Sequence, residues 1–402
     1  MRRIILLVRP KKGKTSNERL EELFDDLLFF RLKTEVPHFR DKVAVVDGDV
    51  SASNLGLSVS DRTLLTDTVN VVLHGAATVR FDENIKTAIA INICGVQAMI
   101  KLAREMKYLK SFVHVSTAFS QCPHSEIKET FYSPPYDYDS LSRLIMTSQH
   151  DDDKLEDLTR VILGKWPNTY TFTKALAEDV IQREAEGLPV AMFRPSIIVS
   201  TYQEPVRGWI DNPYGPVGLM VGVGTGVLHS TLNNLDLTVD IVPIDMVVNA
   251  LLATAWYRGS SDHQSIPIYN FVSSCQSPIT HRRFYEQSEE FGLQWPTIRA
   301  VWYCSYVSTK SRLLYFMLHF FLHIIPGFFL DSLLVISGQK PMLWIAHNIL
   351  KTAFFTLISY ILLLILCSVC PNSSPAFILT ILTVSLVFLK PIQTLYRTAL
   401  FL

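Results

Sequence analysis

The stretch Phe112-Val-His-Val-Ser-Thr-Ala118 reads as a short buried strand that ends abruptly in hydroxyl residues. Comparable apolar runs recur at Ile4 to Val8, Val43 to Val46, Val69 to Leu73 and Val190 to Phe193. Helical spacing fills the intervals, from Ser16 onward (Leu20, Leu23, Phe24, Leu27, Leu28), from Asn84 to Lys107 and from Tyr170 to Gly187. Strands alternating with helices predict an α/β fold of βαβ units around a parallel sheet, with functional groups at the carboxyl ends of its strands.

The 402 residues carry 37 Lys and Arg against 37 Asp and Glu. Zero net charge provides no field to attract a polyanion, so no nucleic-acid partner is expected. With 49% hydrophobic and 18% charged residues, the chain is greasier than a usual soluble domain, in which about a quarter of residues are charged. Part of it is expected to meet membrane lipid. Cysteines at 94, 122, 275, 304, 367 and 370 are too scattered for a disulfide framework, which suits a reducing, cytosol-facing compartment.

Thr352 to Cys370 contains no Lys, Arg, Asp or Glu and reaches the roughly 20 residues that cross a bilayer. Pro375 to Leu389 is a second, shorter apolar run, and the basic flanks Lys351, Lys390 and Arg397 predict two crossings with both tails cytosolic. Leu313 to Leu330 is uncharged but holds His319, His323, Pro326 and Gly327, as an interfacial segment or a greasy domain helix would. With no third ligand beside the two histidines, no metal is expected. The Gly- and Pro-rich segment Gln203 to Gly226 predicts an irregular excursion, and its Gly222-Val-Gly-Thr-Gly226 follows no first strand, so it is not read as a phosphate loop. These shifts divide the chain into 1–270, 271–350 and a hydrophobic hairpin at 351–402.

The chemistry centres on Thr117 and on Tyr170-Thr-Phe-Thr-Lys174. On a helix Tyr170 and Lys174 share a face, and a nearby ammonium lowers a phenol's pKa. The tyrosine then serves as proton donor to a carbonyl reduced by hydride, with Thr117 bonding the same oxygen. The spacing alone is equally that of an ordinary polar helix start, and Tyr306-Val-Ser-Thr-Lys310 repeats it without a preceding Ser-Thr strand end. Gly48-Asp49-Val50 and His74-Gly-Ala76-Ala77 close two other strands. Small residues there admit a flat cofactor, and a carboxylate accepts from an adenine amino group. Arg9 ends the first strand and suits a ribose 2′-phosphate. Singly, Arg9 is equally a solvated strand end and His74 a satisfied buried histidine.

Together, Leu6-Leu-Val-Arg-Pro-Lys-Lys-Gly13, His74-Gly-Ala-Ala-Thr-Val-Arg-Phe81, Val113-His-Val-Ser-Thr-Ala118, Tyr170-Thr-Phe-Thr-Lys174, Arg194-Pro-Ser-Ile-Ile198 and Gly208-Trp-Ile-Asp-Asn-Pro-Tyr-Gly-Pro216 resemble the extended short-chain dehydrogenase/reductase superfamily. More narrowly, the chain resembles its alcohol-forming fatty acyl-CoA reductases. The resemblance implies a Rossmann-like fold and NADPH-dependent reduction of a long-chain acyl-CoA, through the aldehyde, to a primary alcohol at the endoplasmic reticulum or peroxisomal membrane. It implies Tyr170 as proton donor, Lys174 as the residue that lowers its pKa and holds the nicotinamide ribose, Thr117 as the carbonyl-orienting group and Asn92 as a water-relay residue. Pro195 and Ile198 would pass beside the nicotinamide, while Arg9, Asp49, Val50, His74, Ala76 and Ala77 would line the adenosine half. A non-catalytic membrane protein of reductase ancestry and a membrane-bound sterol dehydrogenase are the alternatives.

The family's glycine-rich turn and the strand before it have no counterpart ahead of Ile4, since no glycine precedes Gly13. The expectation is a first strand that faces an unpaired neighbour or closes against Val69 to Leu73. Weak or absent NADPH binding, and no detectable alcohol from residues 1–402, are expected with it.

Overall fold

The computed structural model describes residues 3–11, 13–147, 152–212, 214–261 and 265–340. The paired apolar runs of 351–402, with Cys367 and Cys370, lie outside the described residues. The chain forms two compact units. One comprises Met1–Asp211 and Asp240–Pro278, the other Asn212–Val239 and Ile279–Leu402. Residues 212–239 thus leave the segment that the sequence assigns to the first domain.

The first unit holds strands β1 (Ile4–Val8), β2 (Val43–Asp47), β3 (Val71–His74), β4 (Ser111–Val115), β5 (Val190–Pro195) and β6 (Ile197–Val199). Strands β7 (Ser230–Leu232) and β8 (Thr238–Val239) belong to the second unit; β9 (Ile241–Pro243) and β10 (Ile268–Phe271) return to the first. The second unit ends its strand set with β11 (Ile279–Thr280) and β12 (Val307–Thr309). A four-stranded parallel sheet runs in the order β10-β5-β4-β3, and β1 pairs in parallel with β2. Parallel order needs crossover segments that cover the sheet, so the central strands are buried on both faces. Phe112, Val113, Ala191 and Met192 are accordingly fully buried. Among the described residues β1 bonds only to β2 and β3 only to β4; β1 does not close against β3.

Ile85–Glu105 and Thr169–Glu184 cover one face of the four-stranded sheet, and Ile244–Ser260 packs on β4 and β5 from the other. Ile85–Glu105 buries Ile85, Ile89, Ile93, Val96 and Ile100, a stripe of helical period. Asn84 caps its start by accepting from the Lys86 amide at 2.9 Å, and a π turn interrupts it at Ala90–Cys94. Thr169–Glu184 is capped by Asn168, whose side chain accepts from the Thr171 amide at 2.9 Å, and it buries Phe172, Leu176 and Val180.

In the second unit, Gly215–Gly224 is a helix, which corrects the irregular excursion expected there. Pro216 is tolerated at the first turn because its missing N–H has no intrahelical acceptor. Gly226, at φ +69°, follows it, and a Cβ on that residue would lie 2.3 Å from the Trp302 carbonyl oxygen. Close packing, rather than phosphate, explains this glycine. Tyr306 and Lys310 flank β12 rather than sharing a helix face; Tyr306 bonds the Thr231 hydroxyl, and Lys310 pairs with Asp236 at 2.8 Å.

Candidate active site

Parallel pairing brings the carboxyl ends of paired strands to one edge of each sheet; Arg9, Asp49, Ala76, Ala77 and Thr117 lie just beyond such an end, Tyr170 and Lys174 on the Thr169–Glu184 helix, and Asn92 on the Ile85–Glu105 helix. After β4 the chain continues as Ser116-Thr117, held to β5 by the Ser116 amide on the Phe193 carbonyl (2.8 Å) and the Ala118 amide on the Pro195 carbonyl (2.9 Å). This fixes Thr117 near Tyr170, whose phenol shares a hydrogen bond with the Thr117 side chain. The Tyr170 ring stacks on Phe81 with centroids 6.1 Å apart. Below it, Thr169 Oγ1 donates to the Phe81 and Glu83 carbonyls at 3.3 and 3.1 Å, tying the loop after β3 to the helix start.

Lys174 is buried, and its Nζ donates to the Val115 carbonyl at 2.8 Å. Burial pushes it down to about 8, against the pull of Glu178. The same burial raises the Tyr170 phenol above its ordinary value, with the Thr117 bond opposing. The expected depression of Tyr170 by Lys174 is therefore absent from this arrangement. The shared helix face is present, but the ammonium is drawn to the strand-end carbonyl. Tyr170 is consequently held as a protonated phenol at neutral pH, the state that a proton donor requires.

Beneath Lys174 sits a feature that motif reading missed. Glu178 and Arg194, 3% and 0% exposed in their side chains, form a two-pronged pair, Nε to Oε1 at 2.9 Å and NH2 to Oε2 at 2.7 Å. Glu178 also accepts from Ser116 (2.6 Å), Ser120 (2.8 Å) and Gln121 (3.1 Å). Arg194 completes its donors on the Lys128 and Thr130 carbonyls. One carboxylate therefore organises the loop after β4, the end of β5 and the helix that carries Tyr170 and Lys174. The available signal was its spacing, four residues beyond Lys174 on the same face.

Asn92, inside the π turn, accepts from the Thr78 amide at 2.9 Å and donates to the Thr78 carbonyl and to Thr173 Oγ1 at 3.2 and 2.9 Å. These bonds make it a strut between the loop after β3 and the Thr169–Glu184 helix. His74, expected at a cofactor face, is buried with its ring 5.5 Å from that of His114, its register partner on β4. Burial and the nearby Lys174 charge lower His74 to about 3, so it stays neutral. Ala76 is exposed and Ala77 half-buried, whereas Pro195 is buried at the end of β5 and Ile198 is exposed on β6.

At the carboxyl ends of β1 and β2, which form their own two-stranded sheet, Arg9 and Asp49 are brought together at 3.5 Å. Asp49 is partly buried, yet bonds from the Ser51 amide and hydroxyl, with Arg9, hold its carboxyl below the ordinary value. Its loop follows Gly48, where a Cβ would meet the Leu55 carbonyl oxygen at 2.9 Å. Val50 rests on Gly95, whose added Cβ would lie 2.9 Å from the Val50 carbonyl oxygen. A dinucleotide suits this edge. A buried ammonium with one acceptor at Val115 retains N–H capacity for ribose hydroxyls, and the Arg9–Asp49 pair offers both a cation and a carboxylate at the strand ends.

Residues 1–251 match the NAD-binding family described as "Male sterility protein". The chain is 44% identical over 338 residues to "Fatty acyl-CoA reductase wat" of Drosophila melanogaster, covering 84% of this chain and 65% of that one. It is 38% identical over 357 residues to "Fatty acyl-CoA reductase 1" of Rattus norvegicus, covering 87% and 67%. The chain thus spans about two thirds of the length of these relatives. Among solved structures, the reductase domain of a nonribosomal peptide synthetase from Mycobacterium tuberculosis superposes with a TM-score of 0.53 at 20% identity, over 78% of this chain and 68% of that one. The terminal R domain of the myxalamid biosynthetic pathway gives 0.52 at 18% identity, over 76% and 64%. Both share the Rossmann-like reductase fold.

Proposed function

The chain belongs to the NAD-binding Male sterility family, and from that premise we propose that the protein reduces a long-chain acyl-CoA thioester, through the aldehyde, to a primary fatty alcohol with NADPH. The observation that carries this reading is the convergence of Thr117, Tyr170 and Lys174 where β4 meets the Thr169–Glu184 helix. When bound, NADPH supplies the hydride, two per alcohol formed. Thr117 donates its hydroxyl hydrogen to the substrate carbonyl oxygen and orients it. Tyr170, kept protonated by burial, delivers its phenolic proton to that oxygen as negative charge develops there. Hydride and proton convert the thioester to an adduct that releases the CoA thiol and leaves the aldehyde; a second hydride and proton give the alcohol.

Lys174 binds the nicotinamide ribose, and its positive charge, carried through the hydroxyls it holds, favours the phenolate left once Tyr170 has given up its proton. Asp49, Val50, Ala76 and Ala77 line the adenosine half, and Arg9 takes the 2′-phosphate that separates NADPH from NADH. Pro195 and Ile198 border the nicotinamide. Asn92 supports the site by holding the Thr78 loop. The run at 351–402 anchors the protein in a membrane of the endoplasmic reticulum or peroxisome with the reductase unit on the cytosolic side.

The test is a product assay with NADPH and a series of acyl-CoA thioesters of increasing length. Fatty alcohol, with two NADPH oxidised per molecule, is the result this reading requires, and it would overturn the expectation that residues 1–402 yield none. NADPH binding without aldehyde or alcohol from any thioester overturns the reading.

A further inference from the structure

The Arg312–Ile336 helix of the second unit is amphipathic in the opposite sense to a soluble helix. Tyr315, His319, His323, Gly327 and Asp331 recur every fourth residue and so form one stripe along it. That stripe faces inward: Tyr315, Gly327 and Asp331 are buried, and the two histidines are half-buried. The His229 amide donates to His323 Nε2 at 2.9 Å, and the Tyr315 ring stacks on His319 at 5.6 Å. The apolar side faces out. Leu313, Phe321, Phe329, Leu333 and Ile336 are 58 to 82% exposed. The Ile85–Glu105 helix, with the lower mean hydropathy of 1.4 against 1.9, is 56% buried over its most apolar stretch, against 6% here.

A soluble helix turns its apolar stripe to the core and its polar face to water. The reversed order suits a low-dielectric exterior. We propose that the outward face of Arg312–Ile336 lies along a lipid bilayer as an in-plane contact, independent of the run at 351–402. Lipid is the occupant for three reasons. The uncharged Thr352–Cys370 run begins 16 residues after Ile336, so a bilayer lies within reach. Arg312 and Lys340 bracket the helix, and its one acid, Asp331, is turned inward, which suits anionic headgroups. Trp295, Trp302 and Tyr303 in the preceding segment are 68 to 80% exposed, and amphipathic rings of this kind favour the membrane–water interface. The helix does not cross the bilayer, because its first part, Arg312–His319, packs against β7 and β12 of its own unit and His323 accepts from the His229 amide beyond it. The contact stands whether or not the chain turns over acyl-CoA.

The full chain, reconstituted with phosphatidylcholine and phosphatidylserine vesicles, tests this by photo-crosslinking from benzoylphenylalanine placed at Phe329 or Leu333, with exposed Arg283 as the reference position. Lipid adducts at 329 and 333, and none at 283, are the expected result. Adducts to peptides from 341–402 would show that the chain covers its own helix, and a cross-linked dimer that a second copy does. Either of these, or adducts to neither lipid nor protein, overturns the proposal.

Discussion

Glu178 and Arg194 form a buried two-pronged ion pair that joins the helix of Tyr170 and Lys174 to the end of β5. Its carboxylate holds Ser116, adjacent to Thr117, at 2.6 Å. The position of the hydroxyl that would orient substrate is thus set through a residue that touches no substrate.

Glu178→Gln leaves the Arg194 charge buried without its counter-ion, and breaking a buried pair from one side costs about 3–5 kcal/mol. Urea unfolding should show a loss of that size. The double variant Glu178→Gln/Arg194→Met should recover part of it, because no uncompensated charge remains. Equal stability of the single variant and the parent would remove the pair from its organising role.

Lys174 supplies a pH signature. Its folded value of about 8 lies below the ordinary 10.5, so between these values the unfolded chain binds more protons and stability rises with pH. Below pH 8 the cost of the buried charge is fully present; by about pH 10.5 up to about 3 kcal/mol has been recovered. Measured as the parent minus Lys174→Met difference in unfolding midpoint across pH 7.5 to 10, the slope should be positive. A flat difference would place the ammonium in water.

Tyr170→Phe should lower turnover by about 10²- to 10⁴-fold, the usual worth of a positioned general acid, with NADPH affinity little changed. Tyr306→Phe, which loses its hydroxyl's bonds to Thr231 and Tyr285, should leave turnover near the parent value. Comparable losses in the two variants would dismiss Tyr170 as the acid.

Gly95→Ala adds a methyl 2.9 Å from the Val50 carbonyl oxygen, and backbone on both sides leaves little room to yield. Overpacking of this kind costs about 1–3 kcal/mol. Thermal unfolding should report it, together with weaker dinucleotide binding as the Asp49-Val50 loop shifts. Unchanged stability would mean that the helix and loop separate freely.

The periodicity of the sequence determined the strand and helix order of the first unit, because apolar runs and helical stripes are local responses to burial. Strand ends therefore marked Thr117, Asp49 and Ala76, and four-residue spacing placed Tyr170 and Lys174 on one helix face. Composition likewise showed that Leu313 to Leu330 is apolar. Tertiary structure alone decided where the polar atoms find partners. Lys174 turns to the Val115 carbonyl, Asn92 grips Thr78, and His74 is enclosed beside His114. It also placed 212–239 with the second unit and turned Tyr315, His319, His323 and Asp331 inward. A hydrogen bond or an ion pair depends on side chains from separate elements meeting within about 3 Å, and the spacing of residues along one chain carries no record of that meeting.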